Sequence, residues 1–147
     1  MTLYVLDTDH LSLFERGHPA VSRQILKTSR SDFHNLTTTV VSMEEQLKGR
    51  LAQINKAATV TDRLILAYQR LNTTFSVFAS LNVLEYSATA DRLFREFRKA
   101  GIRIGTQDLR IASITLFNNG VLLTRNRRDF EKVPDLLLQD WSVDIQG

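Results

Sequence analysis

Short apolar runs alternate along the chain with longer stretches in which apolar residues recur every three or four positions. The short runs are rich in aliphatic and β-branched residues and predict buried strands at residues 3–6, 36–41, 81–86 and 121–124, with a short final strand at 141–145. The longer stretches predict helices between the strands. Strands that alternate with helices are typical of a parallel sheet covered on both faces, so the predicted fold class is α/β, a three-layer α/β/α sandwich with a central parallel sheet.

The longest helical stretch, at about residues 43–79, predicts a helical hairpin. Its apolar residues, spaced by four and three positions, form a stripe that comprises Leu64, Tyr68, Leu71, Phe75 and Phe78. A stripe of this kind is more often core or dimer contact than a cofactor site, and we expect it to face the body of the protein or a partner. Residues 29–32 are expected to form a turn, and Thr106 is expected to cap the helix that follows it.

Composition narrows the class of protein. A chain of 147 residues is long enough to bury an ordinary core, and we expect a single domain over residues 1–147. The sequence contains no cysteine, which excludes a disulfide framework, a thiolate zinc site and a cysteine nucleophile. The N-terminus lacks the basic and apolar regions of a signal peptide, and no apolar run has the length needed to cross a bilayer. These features predict a cytoplasmic protein.

Basic residues are unevenly distributed. The formal net charge is +3 and the sequence pI is about 9.5, a modest excess that suggests an anionic partner. The basic residues of the hairpin and of the segment after the predicted strand at 121–124 are Lys48, Arg50, Lys56, Arg63, Arg70, Arg125, Arg127 and Arg128. For each residue alone a solvated helix face is the simpler interpretation, whereas together they favour sequence-independent contacts with phosphates.

Acidic and polar residues recur where strands end or the next helix starts. They are Asp7, Glu44 with Glu45, Asp108, and Asn126 with Asp129. In a parallel sheet the carboxyl ends of all strands lie at one edge, so these side chains should converge. Converging carboxylates repel each other unless a cation neutralises them, and a set of oxygen ligands suits Mg²⁺ or Mn²⁺ better than zinc. Such an ion would activate water and stabilise charge on a phosphodiester, although an acid at a helix start also stabilises the helix alone.

Other chemistries have little support in the sequence. The histidines, His10, His18 and His34, are scattered and show no metal-ligand spacing. Ser12 and Thr124 lack a convincing base partner, which argues against a serine-type mechanism. The glycine fingerprints of nucleotide-binding loops are absent from the sequence, which argues against a nucleotide cofactor.

Four segments carry these residues in a recognisable order: LDTD at residues 6–9, SMEEQLKG at 42–49, IGTQDLRIA at 104–112 and LTRNRRDF at 123–130. In order and spacing they resemble the PIN-domain ribonucleases, and within these the VapC-type toxins of bacterial toxin–antitoxin pairs. The resemblance covers nearly the whole chain. It implies a PIN-like fold and a Mg²⁺- or Mn²⁺-dependent endoribonuclease that is usually homodimeric. It also implies a small antitoxin whose C-terminal segment occupies the active-site groove.

The resemblance also implies roles for individual residues. The implied catalytic residues are Asp7, Glu45, Asp108, Asn126 and Asp129, of which Asp7, Glu45 and Asp108 would hold the metal. The family's glutamate lies four residues before a glycine, which selects Glu45 over Glu44. The fourth position is acidic in many members and is Asn126 here, so the number of metal ions stays open, as does the choice between Asn126 and Asp129. On the nuclease interpretation, the candidate substrate-binding residues are Thr8, Asp9, Lys48, Arg125 and Arg127.

Two alternatives stay open at this point. The neutral Asn126 is compatible with a catalytically impaired PIN-like scaffold that binds RNA or a partner protein without cleaving. The run Asp7-Thr8-Asp9 is also similar to haloacid-dehalogenase-like phosphatases, in which the first Asp is the nucleophile. That family has Thr or Val at the position of Leu11, and a catalytic lysine is not evident, so the nuclease interpretation is favoured.

Overall fold

The structure is a computed structural model that describes residues 2–32 and 35–143. Its strands are β1 (Tyr4–Leu6), β2 (Leu36–Thr39), β3 (Asn82–Leu84), β4 (Val121–Leu123) and β5 (Leu137–Gln139). Its helices are α1 (Thr8–Glu15), α2 (Pro19–Asp32), α3 (Val40–Ala57), α4 (Thr61–Ser80), α5 (Ala88–Lys99), α6 (Thr106–Phe117) and α7 (Arg127–Phe130). Along these described residues, no helix combines the length and the apolar character that crossing a membrane requires.

The strands within the described residues form a five-stranded sheet in the order β3-β2-β1-β4-β5, and every neighbouring pair is parallel. The predicted parallel sheet is therefore confirmed. The central strand is β1, and its last residue, Leu6, is in register with Thr38 of β2 and Leu123 of β4. The carboxyl ends of these three strands thus lie side by side at one edge of the sheet.

Helices cover both faces of the sheet because successive strand residues point to opposite sides. Val5 packs in a core cluster with residues of α5 and α6, such as Ala90 and Leu109. The next residue, Leu6, packs in a second cluster with residues of α1, α2 and α4, including Leu11. The predicted PIN-like α/β/α architecture is confirmed by these two clusters.

The second strand is polar in sequence yet fully buried. Thr37 and Thr38 are wholly inaccessible to solvent, and their hydroxyls donate hydrogen bonds to the main-chain carbonyls of Tyr4 (2.8 Å) and Leu6 (2.9 Å) on β1. A buried hydroxyl that has a hydrogen-bond partner avoids most of the cost of desolvation. Threonine therefore suits this strand, because its methyl group packs while its hydroxyl is bonded to the neighbouring strand.

Several predicted boundaries were wrong. Strand β2 ends at Thr39, not at residue 41, because the Thr39 hydroxyl accepts a hydrogen bond from the Ser42 N–H (3.0 Å) and begins α3. Residues 29–32, predicted as a turn, belong to α2. Gly105 is the N-cap of α6, and Thr106 is its first helical residue.

The final strand was also misplaced. The strand beside β4 is Leu137–Gln139, whereas residues 141–143 form a turn and a bend, and residues 144–145 lie outside the described part. Trp141 is buried in the core cluster of α1 and α2, with its ring 4.9 Å from that of Tyr4. The apolar side chain of Trp141 is therefore explained by its burial in the core, and it does not indicate a strand.

Helices α3 and α4 pack against each other. The apolar stripe of α4 does not face the body along its whole length, since Tyr68 and Phe75 are 54% and 57% exposed. The buried positions of this helix are Ala67, Thr74 and Phe78. Tyr68 and Phe75 are therefore left at the surface, whereas Phe78 is buried.

Candidate active site

Asp7 joins the central strand to the first helix. It follows β1 directly and is the N-cap of α1, where its Oδ1 accepts a hydrogen bond from the His10 N–H (2.7 Å). Its own N–H donates to the Leu123 carbonyl of β4 (3.1 Å). The side chain is thereby fixed at the carboxyl edge of the sheet, and the residue is only 5% exposed.

Glu45 reaches the same place from α3. Its Oε1 accepts a hydrogen bond from the Thr8 hydroxyl (2.7 Å), which ties α3 to the first turn of α1. The adjacent Glu44 is exposed and accepts from the Gln107 side-chain amide of α6 (2.6 Å). Successive helical residues point in directions about 100° apart, so α3 presents Glu45 to Asp7 and Glu44 to a different surface.

Asp108 completes a cluster of acids. It lies in the first turn of α6 and is half-buried. Burial, together with the charges of Glu45, Asp7 and Asp129, raises the pKa of its carboxyl to about 6. The three neighbours come from α3, the end of β1 and α7. The structure thus brings together the four acids that the sequence placed at strand ends and helix starts.

Asn126 and Asp129 lie at the end of β4. The Asn126 N–H donates to the Thr124 hydroxyl (2.9 Å), and its side-chain amide donates to Asp129 Oδ2 (3.1 Å). Asp129 Oδ1 also lies 3.7 Å from the Lys132 ammonium nitrogen. The amide of Asn126 and the carboxylate of Asp129 are therefore adjacent, and both border the acid cluster.

Asp9 is held differently from the other acids. Both of its oxygens accept hydrogen bonds from the Arg125 guanidinium, at 2.6 and 2.7 Å. The pKa of Asp9 is held below its ordinary value, chiefly by this hydrogen bond, and the pKa of Arg125 is raised by the same contact. Two predicted substrate-binding residues are thus paired with each other at the mouth of the site.

The other predicted substrate-binding residues have separate surroundings. Thr8 bonds Glu45, as described, and Lys48 is exposed on α3. Arg127 donates to the Leu138 carbonyl (3.4 Å) and lies 3.6 Å from Glu131 Oε1. Of these three residues, Thr8 contacts the acid cluster in the structure.

Sequence reasoning missed the position of His10. Its side chain is completely buried, and its Nε2 accepts a hydrogen bond from the Trp141 N–H (3.0 Å). Its Nδ1 lies 3.5 Å from Asp7 Oδ1 and has no hydrogen-bond partner among the described residues. His10 therefore connects the C-terminal segment to Asp7, and a partner 131 positions away leaves no local signal in the sequence.

Among the described residues, one group of acidic and histidine side chains brings its ligand atoms close enough together to hold a metal ion. One ligand atom each from Asp7, Asp9 and His10 lie within 4.8 Å of one another. In that set Asp9 is already bound by a guanidinium and His10 Nε2 accepts from a main-chain N–H, so His10 would have to offer its unbonded Nδ1. Asp7 and Glu45 lie close enough to Asp108 for their charges to raise its pKa, and carboxylates are the ligands that Mg²⁺ and Mn²⁺ prefer.

Comparisons with known proteins agree with this geometry. No family model matches the chain. A ribonuclease VapC1 of Haemophilus influenzae strain R2866 is 28% identical over 144 residues, which cover 95% of this chain and 98% of that protein. A ribonuclease VapC2 of Rickettsia felis is 34% identical over 65 residues, which cover 42% of this chain and 48% of that protein. The predicted resemblance to the VapC-type ribonucleases is confirmed.

Solved structures of VapC-type proteins share the fold. VapBC2 from Rickettsia felis, in a structure bound to a DNA fragment from its promoter, gives a TM-score of 0.74 at 22% identity over 95% of this chain and 99% of that one. VapBC-1 from nontypeable Haemophilus influenzae gives a TM-score of 0.73 at 24% identity, and the match covers 97% of this chain and 100% of that one. At these identities the likeness establishes a common fold.

Proposed function

We propose that this protein is a Mg²⁺- or Mn²⁺-dependent endoribonuclease and the toxin of a toxin–antitoxin pair. The observation that carries the proposal is the acid cluster, in which Asp7, Glu45 and Asp129 all raise the pKa of Asp108. Four neighbouring carboxylates without a basic partner for Asp108 repel one another and lower the stability of the folded protein. Such a cluster is expected where a bound cation neutralises the charge. The names of the relatives, ribonuclease VapC1 and VapC2, support RNA as the substrate.

The metal would be held by Asp7, Glu45 and Asp108, with Asn126 or Asp129 as the fourth group. This set fits a hard divalent ion because every donor is a carboxylate or amide oxygen. When bound there, such an ion supplies Lewis-acid chemistry that activates water and stabilises the phosphoryl oxygens of a phosphodiester. The chain itself needs no nucleophilic side chain for this reaction.

The surrounding residues position these ligands. The Thr8 hydroxyl fixes one oxygen of Glu45, and the His10 N–H fixes one oxygen of Asp7. The second oxygen of each carboxylate would be available to hold the ion. Arg125 lies at the mouth, where exchange of its Asp9 contact for a phosphate contact would hold the RNA strand next to the cluster.

The partners follow from the same proposal. The structural neighbours are VapBC complexes, which supports a small antitoxin protein as partner. The exposed Tyr68 and Phe75 on α4 support a homodimer that buries this stripe, although an antitoxin could cover it instead. A single domain that acts in the cytoplasm completes the proposal. A monomeric mass by light scattering at micromolar concentration would contradict the dimer.

Cleavage of labelled single-stranded RNA by the purified protein tests the activity. We expect cleavage with Mg²⁺ or Mn²⁺, and we expect it to stop with a chelator and in Asp7→Asn. The matched control is Asp62→Asn, which removes an exposed carboxylate from the first turn of α4 and should leave cleavage unchanged.

Two outcomes would contradict the proposal. Cleavage that persists with chelator and in Asp7→Asn would point to a contaminating nuclease. RNA binding without cleavage by the wild-type protein would instead favour the scaffold that the neutral Asn126 keeps open. For the toxin role, expression should arrest growth, and co-expression of a small protein encoded beside this one should restore it.

A further inference from the structure

A polar cleft opens beside the acid cluster, between α1, α3 and α4. Its volume is about 660 Å³, which is in the range of pockets that hold ligands of nucleotide size or larger. Asp9, two residues after Asp7, lies on its rim, so the cleft continues directly from the mouth of the candidate active site. The four acids of the cluster do not line this space, although Gly49 of the SMEEQLKG segment does.

The floor of the cleft is a buried, fully bonded network. Glu15 accepts hydrogen bonds from the Thr74 hydroxyl and from the Gln46 amide (3.1 Å), and it lies 3.3 Å from an Arg50 guanidinium nitrogen. The side chains of Glu15 and Arg50 are only 5% and 14% exposed. The negative charge of Glu15 is therefore neutralised within the floor, as Arg125 neutralises Asp9 on the rim.

Two positive charges remain at the walls. Arg16 follows α1 and Arg70 lies on α4, both are exposed, and both line the cleft. Neither side chain makes a hydrogen bond or ion pair within the described part of the chain, although the charge of Arg16 helps to lower the pKa of Asp9. The cleft thus presents unneutralised guanidinium groups, which suit phosphate oxygens.

Gly49 forms part of the wall in the middle of α3. Glycine inside a helix is less stable than alanine, so its presence there calls for a reason. Packing provides none, because a Cβ atom built on Gly49 would have no heavy atom within 4 Å. The missing side chain leaves the α3 backbone open to whatever enters the cleft.

We propose that this cleft binds the RNA strand that flanks the cleaved phosphodiester. Arg16 and Arg70 contact its phosphates, and Gly49 admits a nucleotide against α3. The proposal rests on the proposed function, because it assigns a substrate-binding surface to the same active site. It leaves the metal ligands and their roles unchanged.

Arginine substitutions test the phosphate contacts. Arg16→Ala and Arg70→Ala should each weaken binding of a fluorescent single-stranded RNA of mixed sequence about five- to tenfold, measured by anisotropy in chelator. Each should also reduce the slope of log affinity against log salt concentration by about 0.7 in magnitude. In cleavage assays with Mg²⁺ they should raise KM and leave kcat nearly unchanged. The matched control is Arg92→Ala, which removes an exposed arginine from α5 on the other face of the sheet.

Gly49→Leu tests the open wall. The substitution should raise the thermal unfolding midpoint, because leucine favours the helix and meets no neighbour. It should nevertheless weaken RNA binding about fivefold or more, because the side chain fills the space that the nucleotide needs. Asn55→Leu is the control, since it adds the same side chain to an exposed position of α3 that lies about 120° around the helix from Gly49 and does not line the cleft.

The outcomes separate this proposal from the proposed function. If the wild type cleaves RNA but the Arg16, Arg70 and Arg92 variants bind RNA alike, the cleft assignment is overturned and the nuclease stands. The same holds if Gly49→Leu and Asn55→Leu bind alike. If the wild type neither binds nor cleaves RNA, the proposed function fails, and the cleft assignment fails with it.

Discussion

Asp9 and Asp108 lie at the same edge of the sheet, yet the pKa values of their carboxyl groups are shifted in opposite directions. Asp9 is bound by both arms of the Arg125 guanidinium, and its pKa is lowered. Asp108 is half-buried among Glu45, Asp7 and Asp129, and its pKa is raised to about 6. Two aspartates near one mouth therefore have opposite electrostatic surroundings.

The difference shows which of the two carboxylates has its charge neutralised by another residue of the protein. A carboxylate with a bidentate arginine partner is complete without a ligand. A carboxylate whose neighbours are other carboxylates is unfavourable as an anion until a cation arrives. By this criterion we propose the cluster around Asp108, and not the Asp9–Arg125 pair, as the site for a metal ion.

The largest expected effect compares the two aspartates directly. Asp108→Asn should lower the rate of RNA cleavage about 10³-fold or more, since losing a metal ligand removes several kcal/mol of transition-state stabilisation. Asp9→Asn should lower the rate about tenfold or less, because it disturbs a substrate contact. The measurement is kcat on labelled RNA with Mg²⁺. Equal losses in the two variants would show that the acids belong to one functional group.

Metal binding should stabilise the folded protein through Asp108 and not through Asp9. Mn²⁺ at 100 times its dissociation constant should raise the free energy of unfolding by about 2.7 kcal/mol, because the ion binds the folded state. Asp108→Asn should abolish most of this gain, whereas Asp9→Asn should retain it. Denaturant unfolding with and without Mn²⁺ measures both. A gain that depends on Asp9 and not on Asp108 would move the metal site to the set of Asp7, Asp9 and His10.

The pH dependence of stability should show the raised pKa of Asp108. In the folded protein this pKa is about 6, above the ordinary value of 3.8, so the folded state binds more protons than the unfolded state between these values. Stability of the metal-free protein should therefore fall as pH rises from about 4 to 6. After allowance for solvent screening, Asp108→Asn should recover about 1–2 kcal/mol at pH 7 and almost nothing at pH 4. An unchanged pH profile in Asp108→Asn would show that the raised pKa does not contribute.

Much of the fold could be predicted because it depends on simple patterns. Strands buried on both faces are short apolar runs, and a parallel sheet brings their carboxyl ends to one edge. This reasoning placed Asp7 and Asp108 near each other although they are far apart in the sequence. It was less accurate where a local contact outweighs propensity, as at Thr39, whose side chain caps α3 and turns the following valines into helix.

Long-range side-chain contacts could not be predicted from one sequence. The Asp9–Arg125 pair joins residues 116 positions apart, and the His10–Trp141 bond joins residues 131 apart. No periodicity relates such partners, because they meet through the sheet order and not through their neighbours in the chain. The edge strand β5 was also missed, because a run of three leucines at residues 136–138 is too short to separate a strand from a loop, and Leu137 is 63% exposed.

The smallest expected effect concerns the stability of the Asp9–Arg125 pair. Its side chains are 41% and 49% exposed, so Arg125→Ala should cost about 0.5 kcal/mol of stability at pH 7. Since the pKa of Asp9 is lowered in the folded protein, this contribution is present above its ordinary value of 3.8 and is lost as pH falls through the lowered pKa. Its pH dependence is thus opposite in sign to that of Asp108. If Arg125→Ala lowers the free energy of unfolding by more than about 2 kcal/mol, the pair mainly stabilises the fold. A smaller loss together with a raised KM for RNA would support a contact that opens to bind a phosphate.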